Sequence, residues 1–279
     1  MIGLVKIELY KIFRKWRSYI GFLAIVVLVT IIQVAMHIEG QRSINFMTHN
    51  LQQSFLLVGN LLNGYLVSHL ILNSLVIHIP FLITLVAGDL LAGEATSGTY
   101  RMLITRPVSR FNIVTSKFIA GIIYTCMIIL FLAVFSLGLG LSFFGSGDLL
   151  VVQNGTIIVF SKSDILWRFL LAYSFSSLAM IVVASLAFLF SSLVENAIGP
   201  IISTMTIIII FMIISGLDIS IFSDIKPYLF TNYMNGWRLF FDDPINVREI
   251  IKDSLVLLVH IFVFFGSTAI IFQKKDILS

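Results

Sequence analysis

Charge is what this sequence has least of. Asp, Glu, Lys and Arg make up 11% of its 279 residues, against 58% hydrophobic residues and a mean hydropathy of +1.04. A soluble domain carries about a quarter charged residues, so a soluble fold is excluded and an integral membrane protein is expected. Cysteine is almost missing. Cys126 stands alone inside an apolar run, which rules out an intrachain disulfide framework and a cysteine metal cluster. No G-x-x-x-x-G-K-[ST] occurs, so the chain has no phosphate-cradling loop of its own and is not expected to be an enzyme or to bind a cofactor. His37, His49, His69, His78 and His260 are scattered without metal-ligand spacing and read as structural or interfacial. The net charge of +4 is modest and speaks of loop orientation, not of nucleic acid. A cleavable signal is not expected, because the first apolar run starts at Ser18, is a full span long and lacks a small-x-small site.

What is present is long apolar runs. A membrane-crossing helix needs about 20 apolar residues. Six runs free of Asp, Glu, Lys and Arg meet that length, at about 18–36, 65–87, 118–144, 169–194, 197–217 and 254–272. Backbone groups in lipid must be satisfied within their own element, so each run predicts a helix. Charged residues inside spans mark ion routes, and their absence from these runs argues against a proton- or sodium-driven carrier. Pro80 and Pro200 predict bends in the second and fifth spans, for packing or to let helices part.

Before the first span, residues 1–17 interleave Lys6, Lys11, Arg14, Lys15 and Arg17 with Leu4, Ile7, Tyr10, Phe13 and Trp16. That pattern predicts an interfacial helix with its apolar side in the headgroups. An even number of spans puts both termini on one side. The basic amino tail, Lys274 and Lys275 place that side in the cytoplasm, together with the loop 88–117 and its Arg101, Arg106, Arg110 and Lys117. Arg42, Lys162, Arg168, Lys226, Arg238, Arg248 and Lys252 then fall outside. The outer segments are 37–64, 145–168 and 218–253. The stretch 43–64 carries Asn45, His49, Asn50 and Gln52 and reads as an outer amphipathic helix; a second span there would reverse the topology. Between LLVVQ and TIIVF, Asn154-Gly155 is a strong hairpin signal, since both tolerate the positive φ of a type I′ turn. Asn154-Gly155-Thr156 also matches a glycosylation acceptor, a pattern common by chance. In 218–253, Tyr228, Phe230, Tyr233, Trp237, Phe240 and Phe241 alternate with polar groups and read as rings for the headgroup layer.

The loop 88–117 is the one long polar segment that stays basic. Thr99 is placed to cap a short helix over 100–106, which Pro107 ends, and Ser109 to cap the next helix near Arg110. On a helical period Met102 and Leu103 share a side while Arg101 and Thr105 turn away. Such a rod has little to bury in its own subunit and suits a cleft on another protein. Gly93-Glu94, Ser97-Gly98-Thr99, Leu103, Arg106-Pro107-Val108-Ser109-Arg110 and Lys117 resemble the first cytoplasmic loop of the ABC-2 type transporter permeases, and the hydropathy layout of the whole chain is similar.

The resemblance implies an all-α membrane-spanning subunit: an elbow helix, six spans, a cytoplasmic coupling helix and a small extracytoplasmic hairpin. It implies a permease of an ATP-driven exporter in the bacterial cytoplasmic membrane. Its partners would be a separate ATP-binding subunit, which supplies ATP and Mg, and a second permease copy, identical or related, among membrane lipids. The residues implied to couple the two proteins are Glu94, Ser97, Gly98, Thr99, Tyr100, Arg101, Met102, Leu103, Arg106, Pro107, Arg110 and Lys117. Glu94 is either a solvated loop carboxylate near Arg101 or a group that organises the loop or meets a base on the ATPase. Arg101, Arg106 and Arg110 serve equally well as positive-inside anchors. The alternative function is a membrane anchor, channel or sensory protein whose basic loop binds a non-ATPase partner.

Overall fold

The computed structural model describes residues 1–52, 61–75, 77–99, 108–153, 156–217 and 219–275, with side chains left aside at 43–52 and 75. Nine helices are described: α1 (Ile2–Arg14), α2 (Trp16–Gln52), α3 (Gly64–Leu75), α4 (Ile79–Ala87), α5 (Asp89–Thr96), α6 (Arg110–Phe144), α7 (Lys162–Leu193), α8 (Ile198–Gly216) and α9 (Val247–Lys274). Strands β1 (Leu149–Gln153) and β2 (Thr156–Phe160) pair antiparallel between α6 and α7, and short 3₁₀ turns fill the path from Ser220 to Phe241.

Among the described residues five helices are long and apolar enough to cross a membrane: α2, α6, α7, α8 and α9. The second span expected at 65–87 is not one straight rod. It is the pair α3 and α4, bent by 55°, and the number of spans reaches six only if the pair counts as one. Pro80 sits in the first turn of α4, where its missing N–H costs nothing, so it starts the second rod instead of kinking a continuous one. Helix α2 runs on from the first span into the stretch expected to be an outer helix, as far as Gln52; its 37 residues span about 55 Å, well beyond an apolar core of about 30 Å. Residues 53–60 of the segment 43–64 lie outside the described residues.

Helix α7 is the axis of the bundle. It packs against α4, α5, α6, α8, α9 and the 3₁₀ segment Met234–Phe241, and small residues (Ala172, Ser176, Ala179, Ala184, Ala187) let neighbours approach it closely. Helices α3 and α6 meet backbone to backbone at Gly64 and Gly140; a Cβ on Gly64 would lie 2.5 Å from the Gly140 carbonyl. Asn63 caps α3 by accepting from the Tyr65 and Leu66 amides, and its Nδ2 donates to the Asp148 carbonyl ahead of β1.

The hairpin has the expected strands, with Gln153 opposite Thr156; its turn residues Asn154 and Gly155 lie outside the described residues. Leu149, Val151 and Phe160 are buried on one face. The aromatic segment beyond α8 departs from expectation. Phe230, Tyr233, Trp237, Phe240 and Phe241 are buried in the end of the bundle, while Tyr228 alone of that set is largely exposed. Packing against α7 buries more ring area than a headgroup layer offers, and Arg168 fastens the plug. Its guanidinium donates to the carbonyls of Phe240 (2.9 Å) and Asp242 (3.0 Å), pairs with Asp164 and lies 4.2 Å over the Phe160 ring.

Candidate functional site

Helix α1, the C-terminal end of α9 and the start of the loop 88–117 gather at the bundle end opposite the hairpin. Lys117 near the start of α6 reaches Glu8 of α1, and Arg110 donates from Nη1 to the carbonyls of Gln273 (3.0 Å) and Lys275 (2.9 Å), capping the C-terminus of α9. Thr96 donates to the Glu195 carbonyl between α7 and α8.

The loop opens as a helix that sequence reasoning missed. α5 begins directly after α4, and its own N-cap, Gly88, has no side chain to offer. Ser191 of α7 takes that role from across the bundle: its Oγ accepts from the Leu91 amide (3.0 Å) and the Ala92 amide (2.8 Å) and donates to the Gly88 carbonyl (2.6 Å). No local pattern around residue 88 signals a cap supplied a hundred positions away.

Ser97-Gly98-Thr99 is then the stop of α5. The Thr99 amide bonds to the Glu94 carbonyl (3.0 Å) and the Gly98 amide to the Ala95 carbonyl (3.0 Å), the double closure of a Schellman motif. Gly98 occupies φ +64°, which only glycine adopts without cost. Thr99 is expected to cap a helix over 100–106, residues that lie outside the described ones. Its hydroxyl turns back and donates to the Glu94 carboxylate, closing α5. Ser97 Oγ donates to the Gly93 carbonyl at 2.7 Å, tightening the same turn. Gly93 lacks a side chain because the Asp89 carboxylate, one turn earlier, lies where its Cβ would stand.

Two ion-pair groups fasten this end. In the first, Lys117 Nζ donates to Glu8 Oε2 (2.7 Å) and Glu94 Oε1 (2.9 Å), and Lys11 Nζ donates to Glu8 Oε1 (3.0 Å) and Glu94 Oε1 (2.8 Å). Charges alternate around the ring and cancel. The Lys117 side chain is 1% exposed, buried within this ring. In the second, Asp89 accepts from Lys15 (2.6 Å) and Arg17 (3.3 Å), which flank Trp16 at the α1–α2 elbow. Burial would push the Glu94 carboxyl up, but the Lys117 charge and the hydrogen bonds from Lys11, Lys117 and Thr99 overcome it and hold the group down at about 2. For Lys11, burial works downward, and the bond to Glu94 and the Glu8 charge outweigh it, so its pKa is raised. A cleft of about 330 Å³ runs between the two groups.

Of the residues implied to face a partner, Glu94, Thr99 and Lys117 are therefore drawn together inside the chain. Ser97 and Gly98 form the α5 stop, and Arg110 serves α9. Ser109 caps α6, its Oγ accepting from the Asn112 amide at 3.2 Å. Tyr100, Arg101, Met102, Leu103, Arg106 and Pro107 lie outside the described residues. Glu8 and Asp89 were missed, since an acid in an amphipathic tail and an acid at a span end carry no signal of their partners. Among the described residues no group of three or more His, Cys, Asp or Glu side chains could hold a metal ion.

Long apolar helices around a polar-linked core, an amphipathic helix clamped at one end and an aromatic plug at the other define a helical membrane protein. The chain belongs to the DUF2705 family, a family of proteins of unknown function, whose model matches residues 19–278. It is also similar to the uncharacterized protein YhcI of Bacillus subtilis (strain 168), 28% identical over 210 residues. That match covers 69% of this chain and spans 63% of the relative's length.

Proposed function

We propose that this chain is the membrane-spanning permease subunit of an ATP-driven transporter of the ABC-2 type. In this reading six spans cross the bacterial cytoplasmic membrane, α3 and α4 forming one broken span, with both termini inside and the hairpin outside. The chain works as a pair, most simply across α8, where only Pro200, Thr204 and Ile208 are buried. A separate subunit binds and hydrolyses ATP, and export is the direction the resemblance favours.

One observation carries the proposal. The segment between Thr99 and Ser109 is anchored at both ends, by the α5 stop and the α6 cap, and those anchors are joined to the elbow through the Glu8–Lys117–Glu94–Lys11 ring. A force applied to residues 100–106 thus has a stiff polar route into α1, α5 and α6 and, through Ser191, into α7. Charges held in a closed, largely buried ring transmit displacement better than solvated loop charges, because breaking a pair at Lys117 strands a buried charge.

The test replaces residues 100–106 by a Gly-Ser linker in the intact protein, leaving Ser97-Gly98-Thr99 in place, and measures retention of the co-expressed ATP-binding subunit. Loss of the complex with an unchanged thermal midpoint is expected; full retention would refute the docking role. If the chain instead anchors or senses for a non-ATPase partner, no nucleotide-binding companion is retained under mild extraction.

A further inference from the structure

We propose that the elbow between α1 and α2 is a seat for the phosphate headgroup of an anionic lipid in the leaflet it meets, with the lipid's acyl chain along α2. Five cations and three carboxylates line the cleft at this elbow. The carboxylates are taken up by Lys11, Lys15, Arg17 and Lys117, in the pairs described above. Arg14 is exposed and has no ion-pair partner among the described residues. The cleft therefore keeps an uncompensated positive charge of about two, in a place where a phosphodiester is the available counter-ion in a bacterial leaflet.

The surface that continues from the cleft is apolar. Trp16 (77% exposed) and, two turns on, Leu23, Val27, Ile31, Val34 and Ile38 at steps of three or four residues form one outward stripe. The opposite side of α2, with Ile25, Val29 and Gln33, is the side that packs inward. Trp16 stands where stripe and cations meet, 6.4 Å from the Tyr19 ring, an aromatic pair of the kind that marks the boundary between acyl chains and headgroups. Cations at one end and an uncovered stripe beneath them match the two halves of a phospholipid. A second copy of the chain on the same stripe would leave the cations unmatched, since its own elbow has the same sign. The inference needs only that this end of the bundle lie at the membrane surface, and it does not depend on the transporter reading.

The experiment uses the full-length chain in nanodiscs of phosphatidylcholine with increasing phosphatidylglycerol, counting lipid retained after mild extraction by native mass spectrometry. Wild type is expected to retain phosphatidylglycerol over phosphatidylcholine. Arg14→Gln should weaken that preference about fivefold, one surface cation's share, Arg14→Lys should restore it, and Arg248→Gln at the opposite end should not change it. Four results overturn the proposal: equal retention of the two lipids, equal loss with Arg248→Gln, the same stabilisation from inorganic phosphate in pure phosphatidylcholine, or crosslinks between two copies through Leu23 and Val27 that persist when phosphatidylglycerol is present. Arg14 is exposed and makes no ion pair among the described residues, so its variants are expected to fold, and the wild-type lipid comparison stands without them.

Discussion

Lys117 is the most completely buried cation among the described residues, and its environment explains why it is tolerated. Two carboxylates, one from α1 and one from α5, sit within 2.9 Å of its ammonium group. Removing one strands part of that charge, so Glu94→Gln is expected to cost about 3 kcal/mol, read as a lower thermal midpoint. Lys117→Met should also destabilise, and the double variant should lose much less than the sum, the mark of a shared network. The sign of the pH dependence follows from the depressed Glu94 carboxyl. A carboxyl whose folded value, about 2, lies below its ordinary 4.5 contributes stability that is fully present above about pH 4.5 and is lost as pH falls toward 2. The gap in midpoint between wild type and Glu94→Gln should thus be flat from pH 5 to 8 and close on acidification. A gap that widened in acid would contradict the ring. Half of this was legible in the sequence. Gly93-Glu94 stood out as part of a motif, but the partner Glu8 is 109 residues from Lys117, and no local spacing encodes a contact of that separation.

The elements tell a similar story. Apolar run length located the membrane helices because the 20-residue requirement is set by the bilayer and not by tertiary packing. The hairpin strands were legible because two apolar, β-branched runs flank Asn-Gly, and the strands pair in the register that spacing implies. Two features were not. The bend between α3 and α4 falls within a run free of Asp, Glu, Lys and Arg, so run length alone did not show it, and the aromatic segment was misjudged because rings that suit headgroups also suit a packed plug. α5 depends on a cap from another helix, so Ser191→Ala should loosen it: a loss of about 1–2 kcal/mol is expected, with faster amide exchange at Leu91 and Ala92 than elsewhere in α5. Gly64→Ala should act on a different joint. Its Cβ would meet the Gly140 backbone, so α3 and α6 must part, at a cost of about 1–3 kcal/mol in thermal unfolding. Equal stability of that variant would show that the crossing is looser than the close approach implies.

For the molecule as a whole, polar chemistry is concentrated at its two ends. At the hairpin end Arg168 locks strands, α7 and the aromatic plug together. At the other end two ion-pair groups bind α1, the elbow, α5 and α6 into one unit, beside a segment that the resemblance to ABC-2 permeases marks as the place of an ATPase contact. The central claim is that this segment takes force from a separate nucleotide-driven subunit. The most direct measurement is ATP turnover and co-purification of the co-expressed pair, wild type against a chain whose residues 100–106 are a Gly-Ser linker. The account predicts a stable complex that hydrolyses ATP for the wild type, and for the linker variant a folded chain without its companion. A linker variant that keeps both the companion and its turnover would contradict it.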